Sequence, residues 1–262
     1  MLCYSNTAIG TGFLLSGRGM SSLAARLERE RQHAHEILAS EERNWNWHTP
    51  AGRIRFERRV KFLSEAADPS RRNEARVIEV GAGTGTYSGR LGDAYPGLIA
   101  TDISPDLLKR ASERYGHVKF EVMDAHQINV PDGSVDAIVG CSILHHLEWD
   151  RAVRDYFRAL KPGGSIRFSE PNLLNPQIFL QKSIPFLKRM AGDSPDEYAF
   201  TRFGIARTLR KAGFSRVKVV PFEFLHPATP ERLIERLTSV ESWLERSPLR
   251  EIGGSILIEA YK

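Results

Sequence analysis

A carboxylate, Glu79, closes a short apolar run, and glycines follow at alternate positions, Gly81, Gly83 and Gly85. A second acid, Asp102, closes the next apolar run. Further along, "SILHHLEWD" sets His145 beside His146, and Glu170 ends a fifth run. Glycines between a strand and a helix let the backbone approach a ligand closely. Their spacing here is G-x-G-x-G, whereas the dinucleotide fingerprint is G-x-G-x-x-G, and the Gly-Lys-Ser/Thr ending of a nucleotide phosphate loop is missing. An acid just before the loop repels a pyrophosphate and suits an ammonium group. An acid about 20 residues on, at the end of the second strand, suits a ribose diol.

These residues need a scaffold that brings strand ends together. From residue 76 short β-rich runs alternate with helical stretches, which predicts strands at 76–80, 98–102, 118–123, 135–140 and 164–170. Helices fall near 85–94, 105–115 and 148–160. Such alternation predicts a parallel sheet covered on both faces. Ser104 and Pro105 start a helix, and "LKPGG" at 160–164 closes one and turns into the fifth strand. Residues 171–200 break the alternation with four prolines (Pro171, Pro176, Pro185 and Pro195) among apolar residues. Beyond them come a helix at 201–213, a strand at 215–224, a helix at 230–246 with Leu233, Leu237, Val240 and Leu244 on one face, and a final strand "SILIEAYK". Before the alternating region lie a charged helix at 21–43, a turn holding Trp45 and Trp47, and an amphipathic helix at 51–66. The expected organisation is a disordered leader (1–20, with Met20 as an alternative start), an N-terminal helical cap (21–70), and one α/β domain (71–262) carrying a lid-like insert at 171–200.

Length and composition fit this. The 262 residues suffice for one large domain, and 41% hydrophobic with 26% charged residues is ordinary for a soluble globule. The net charge of +5 comes mostly from arginines interleaved with glutamates, which reads as a solvated surface ahead of a nucleic-acid or membrane surface. Weak membrane-surface contact stays open, although no apolar stretch reaches the roughly 18 residues of a bilayer span. The two cysteines, Cys3 and Cys141, suggest neither a disulfide framework nor a metal site, so a cytoplasmic location is the default.

A ligand with an ammonium, a carboxylate and a ribose, but no phosphate, is S-adenosylmethionine. Four stretches, in order, resemble the class I S-adenosylmethionine-dependent methyltransferases: "VIEVGAGTGTYS", "ATDISPDLL", "EVMDAHQINVPDGSVDAIVGCSILHHL" and "LKPGGSIRFSEPN". The resemblance implies a Rossmann-like, doubly wound α/β fold with a seven-stranded, mostly parallel sheet of order 3-2-1-4-5-7-6 and an antiparallel last strand. It also implies S-adenosyl-L-methionine as cofactor and S-adenosyl-L-homocysteine as product. By that resemblance the backbone of Gly81 and Gly83 approaches the methionine part, with Ala82, Gly85 and Thr86 in the same binding loop. Glu79 holds the ammonium and Asp102 the ribose hydroxyls. Ile103 lies against the adenine, Asp124 accepts from its amine, the Ala125 backbone reads the ring edge, and Cys141 offers backbone to the methionine end. No metal is implied.

His145 and His146 follow the fourth strand and are candidate general bases, needed only where the acceptor loses a proton. Glu170, Asn172 and His226 are further candidates. A proline-rich apolar insert over the site mouth would favour a small, partly apolar acceptor: a quinone, an isoprenoid or lipid-linked sugar, or a natural product. An RNA or tRNA methyltransferase is the first alternative, weakened because "GCSIL" stands where base-amine enzymes carry an Asn/Asp-Pro-Pro-aromatic motif. A non-catalytic cofactor-binding subunit and a nicotinamide-dependent oxidoreductase are the others. A monomer or a homodimer is expected.

Overall fold

The computed structural model describes Glu28 and residues 46–190 and 198–262. The helix expected at 21–43 and the leader therefore lie outside the described residues, Glu28 apart. Seven strands form one sheet: β1 (Val77–Val80), β2 (Ile99–Asp102), β3 (Lys119–Val122), β4 (Val135–Cys141), β5 (Leu160–Pro171), β6 (Ser215–Phe222) and β7 (Ser255–Tyr261). Their order is β3-β2-β1-β4-β5-β7-β6. β1 to β5 pair in parallel, and β7 runs antiparallel between β5 and β6. This is the expected topology.

Every residue of β1 is buried, as a strand covered on both faces requires. Alternate side chains feed two cores. Val77 and Val139 face a core shared with Leu63, Leu91, Tyr95 and Leu108. Ile78, Ile138, Ile166 and Ile258 face one shared with Val153, Tyr156, Ile205 and Leu209. The first core is closed by α1 (Pro50–Leu63), α2 (Ser88–Ala94) and α3 (Pro105–Arg114), the second by α4 (Trp149–Ala159) and α7 (Arg202–Lys211). α1 lies along the sheet. Near its end the Ala66 carbonyl accepts from Ser165 Oγ (2.6 Å), while earlier turns bring Arg55 and Arg59 to Glu223, past the end of β6.

One expectation changes, and two features go beyond the sequence reading. β5 begins at Leu160, because Leu160 already pairs with Val135 before a register shift, and Gly163 supplies the positive φ of 79° that keeps the chain on course. The insert contains two helices, α5 (Pro176–Ser183) and α6 (Pro185–Met190). Proline occupies a first-turn position of α5, where its missing N–H has no helical partner to lose. Lastly, α8 (Glu231–Leu244) does not bury its leucine stripe. Leu233, Leu237 and Val240 are exposed, and the buried residue is Glu241. α8 is held instead by charge-assisted bonds. Glu241 Oε1 accepts from the Phe224 and Leu225 N–H groups (2.6 and 2.9 Å), and its Oε2 pairs with Arg58 (3.0 Å).

Candidate active site

The parallel strands all end on one side, where an open α/β sheet binds its ligands at the point of strand-order reversal. Here that point lies between β1 and β4, and the glycine loop leaves β1 there. Gly81, Gly83 and Gly85 all have positive φ. A Cβ on Gly81 would strike the Ile143 side chain at 2.5 Å, and one on Gly85 would strike Tyr115 at 2.9 Å. Those two glycines serve packing. A Cβ on Gly83 would meet nothing within 4 Å, so Gly83 is the one whose bare backbone faces the crevice. The Ala82 N–H donates to the Thr101 carbonyl (2.9 Å) and the Gly85 N–H to that of Ala82 (2.9 Å), which fixes the turn. Thr86 follows, its hydroxyl 3.4 Å from that of Thr84.

Two acids flank this loop. Asp102 accepts from the Gly83 N–H through Oδ2 (2.9 Å) and from the Ser104 N–H through Oδ1 (2.9 Å), and Ile103 beside it is half-buried. Burial raises the Asp102 carboxyl, against the pull of its backbone donors. Glu79 is 3% exposed, and its Oε2 has no hydrogen-bond partner among the described residues. Burial pushes it up to about 7; the Ser88 hydroxyl opposes the shift, and Asp102 adds to it. A buried carboxylate with no cation is costly unless a ligand brings one. Glu79, the Gly83 backbone and Asp102 therefore fit the ammonium, chain and ribose of S-adenosylmethionine.

Farther along the crevice Asp124 Oδ1 accepts from the His126 N–H (2.8 Å) and contacts its Nδ1 (2.7 Å). The Glu148 N–H donates to His126 Nε2 (2.9 Å), so Nδ1 is the nitrogen that carries the proton. His126, absent from the sequence expectations, thereby fixes Asp124. The Ala125 carbonyl accepts from the Tyr156 hydroxyl (2.9 Å).

At the end of β4, Cys141 is partly exposed, and burial of its sulfur raises the thiol, which keeps it protonated at neutral pH. Ser142 takes a positive φ of 55° and turns the chain into His145 and His146. His145 is 6% exposed, and its Nδ1 lies 2.7 Å from Glu170 Oε2. Glu170 Oε1 accepts from the N–H groups of Ile143 (2.9 Å) and Leu144 (2.8 Å). Glu170 is thus buried behind the histidine and orients it, placing the basic lone pair on Nε2. The His146 ring packs on that of His145, centroids 4.2 Å apart.

Two other candidates are not brought into this cluster. Asn172 is fully buried; its Nδ2 donates to the Glu251 and Gly253 carbonyls, and its Oδ1 accepts from the Leu174 N–H. His226 is exposed and accepts from the Ala228 N–H of its own loop (3.2 Å). A cleft of about 690 Å³ lined by Trp149, Arg154 and Tyr198 contains none of the glycine loop and is separate.

Sequence reasoning put Trp47 in the N-terminal cap over the site end but did not pair it with Phe56 and Tyr87. Trp47, Phe56 and Tyr87 pack together with ring centroids 4.8 to 6.2 Å apart, and Cys141 joins the same core. Arg55 and Arg59 lie over Trp47, and Glu223 accepts from both. No local pattern pairs residues so far apart in the chain. Among the described residues no histidine, cysteine, aspartate and glutamate group is arranged to hold a metal.

Comparison with known proteins agrees with this geometry. Residues 78–168 match the family model described as a methyltransferase domain. An uncharacterised methyltransferase-like protein of Schizosaccharomyces pombe is 26% identical over 67% of this chain and 67% of its own. A demethylmenaquinone methyltransferase of Streptomyces griseus is 26% identical over 63% of this chain and 78% of its own. Several other relatives are matched over about half of their own length. In fold, the chain is similar to the crystal structure of an S-adenosylmethionine-dependent methyltransferase from Thermotoga maritima. That match has a TM-score of 0.64 at 20% identity, over 88% of this chain and 99% of the other. With the glycine loop, its two flanking acids and the strand order, these matches place a class I S-adenosylmethionine-dependent methyltransferase domain in this chain, over residues 78–168.

Proposed function

We propose that the protein methylates a small acceptor with a substantial apolar part: a quinone, an isoprenoid or lipid-linked sugar, or a natural product. The observation that carries this reading is the wall of Trp47, Phe56, Tyr87 and Cys141 beside the glycine loop. The Streptomyces griseus relative, named for a demethylmenaquinone, supports it.

On this reading Glu79 pairs with the cofactor ammonium and Asp102 holds the ribose. Ile103, Asp124 and the Ala125 backbone take the adenine, and the Cys141 backbone borders the methionine end. Bound S-adenosylmethionine supplies a methyl group activated by its sulfonium. The chain's part is to align the acceptor and exclude water, which the aromatic wall does by packing. Where the acceptor loses a proton, His145 Nε2 receives it, and Glu170 is a positioning residue that holds the ring. The first turns of α1 and the α5–α6 pair border the entrance.

The test is S-adenosylhomocysteine release from the purified protein with S-adenosylmethionine and a panel of apolar phenols and quinones, their polar fragments, and tRNA. Turnover is expected with the apolar members, with kcat/KM falling at least about tenfold when a few methylenes are removed. Turnover confined to tRNA would replace this reading with nucleic-acid methylation.

A further inference from the structure

We propose that His126 is a positioning residue that sets which purine the site accepts. It holds the Asp124 carboxylate so that the site takes a 6-aminopurine and rejects a 6-oxopurine. This rests on the assignment of Asp124 to the adenine amine proposed above.

His126 is 2% exposed. Its N–H (2.8 Å) and its Nδ1 (2.7 Å) both reach Asp124 Oδ1, while its Nε2 accepts from the Glu148 N–H (2.9 Å). With Nε2 an acceptor, the Nδ1 proton points at the carboxylate. Two donors from one residue thus pin one oxygen, and turning the carboxylate plane would break both bonds. Among the described residues nothing donates to Oδ2, and Asp124 is only half-buried, so Oδ2 is the oxygen left for a ligand. Burial would raise the Asp124 carboxyl, but the bonds from His126 and the charge of Arg151 hold it below its ordinary value. The group is therefore ionised and can only accept. A purine 6-amino group donates to it. A 6-oxo group turns lone pairs toward it and leaves both partners unpaired, which is where polar sites discriminate most.

The surrounding backbone has anchors of its own. The Ala125 carbonyl accepts from the Tyr156 hydroxyl (2.9 Å), the Ile128 N–H donates to Asp155 (2.7 Å), and the Ile128 carbonyl accepts from Arg158 (2.9 Å). All three partners stand on α4. Changing His126 should therefore leave the segment in place and free the carboxylate. The competing role is a purely structural one, in which the ring only ties this segment to Glu148 at the start of α4. The two bonds can be separated. His126→Asn keeps a donor at the Nδ1 position and loses the acceptor for Glu148. His126→Gln keeps an acceptor near the Nε2 position and loses the donor to Asp124.

The experiment is calorimetric titration of the full chain with S-adenosylhomocysteine and with S-inosylhomocysteine, which differ only at the 6-amino or 6-oxo end of the purine. Wild type should prefer the adenosyl ligand roughly a hundredfold. In His126→Gln the adenosyl affinity should fall at least about tenfold while the inosyl affinity holds, which also shows that the variant is folded. His126→Asn should keep most of the wild-type preference. Equal loss of both ligands, or Asn and Gln variants that behave alike, would overturn the proposal. Asp124→Asn separates it from the assignment on which it rests, because an amide can serve either purine and should abolish the preference. A preference that survives Asp124→Asn removes the adenine assignment and the proposal together. A preference lost in Asp124→Asn but intact in His126→Gln removes the proposal alone.

Discussion

Glu79→Gln should make the ligand-free protein more stable at pH 8 and, in the same molecule, weaken its grip on S-adenosylmethionine. The two effects have one cause. Burial without a cation raises the Glu79 carboxyl from 4.5 to about 7. The folded chain therefore binds this proton more tightly than the unfolded chain does. Its contribution to stability is highest below pH 4.5, declines as pH rises from there to about 7, and is flat beyond. The penalty at pH 8 is on the order of 3 kcal/mol before structural relaxation. Glutamine removes it. Wild type and variant should then melt alike near pH 5 and diverge in favour of the variant at pH 8. On the proposed reading the ligand's ammonium pairs with the ionised carboxylate, so the lost charge-assisted bond should lower affinity by roughly 10- to 100-fold. Wild-type affinity should rise with pH up to about 7, with proton release on binding below that value. Thermal melts across pH, with titrations at two pH values, check both halves. A variant less stable at pH 8 and unchanged in affinity would make Glu79 a structural acid.

The second large effect concerns the charges under the aromatic wall. Arg59 is 3% exposed, donates to both carboxylate oxygens of Glu223, and through Nη2 also donates to Ser255 Oγ (2.9 Å). Burial alone would raise Glu223, but the Arg59 charge and the bonds from Arg59 and Arg55 hold it down at about 2. Burial likewise works against the Arg59 charge, and Glu223 more than offsets it. Glu223 keeps a φ of 75°, unusual for a side-chain-bearing residue; its carbonyl accepts from the Gly254 N–H (2.7 Å) and its N–H donates to Glu245 (2.8 Å). Arg59→Met should cost about 3–5 kcal/mol, because it strips the main counter-charge from a buried acid. Adding Glu223→Gln should recover much of that loss, which a double-mutant cycle in urea reads directly. Because the folded Glu223 value is depressed, its contribution is full above about pH 4.5 and lost as pH falls toward 2. The acid limb of the wild-type stability profile should therefore be blunted in the double variant. Strictly additive effects of Arg59→Met and Glu223→Gln would show that the pair is not coupled.

How much of this was legible in the sequence follows from how local each signal is. The glycine loop and its two acids lie within one strand–helix–strand unit, so their spacing carried both the fold and the ligand. Pro176 and Pro185 were read as breaks, yet each begins a helix; proline stops a helix from its interior but starts one from its first turn. The Leu233, Leu237 and Val240 stripe was legible as an apolar face, but nothing in it said which way the face would turn. That was decided by Glu241, an acid of ordinary appearance that caps backbone donors of the loop after β6. Glu170 and His145 could each be nominated from their strand ends. Their 2.7 Å contact needed the adjacency of β4 and β5 in space. The Arg59–Glu223 pair, 164 residues apart, had no local signature at all.

The most direct measurement is a calorimetric titration of the purified protein with S-adenosylmethionine, S-adenosylhomocysteine and NAD, repeated on Asp102→Ala. The Asp102 carboxylate braces the Gly83 and Ser104 backbone N–H groups and, on the proposed reading, holds the ribose, so its removal should strike the cofactor first. Binding of both adenosyl ligands in the micromolar range, no binding of NAD, and loss of at least about 100-fold in affinity in the variant, the cost of a charged hydrogen-bonding partner, is the predicted result. Binding of NAD instead, or unaltered adenosyl-ligand affinity in a folded Asp102→Ala variant, would contradict the account of the crevice between β1 and β4.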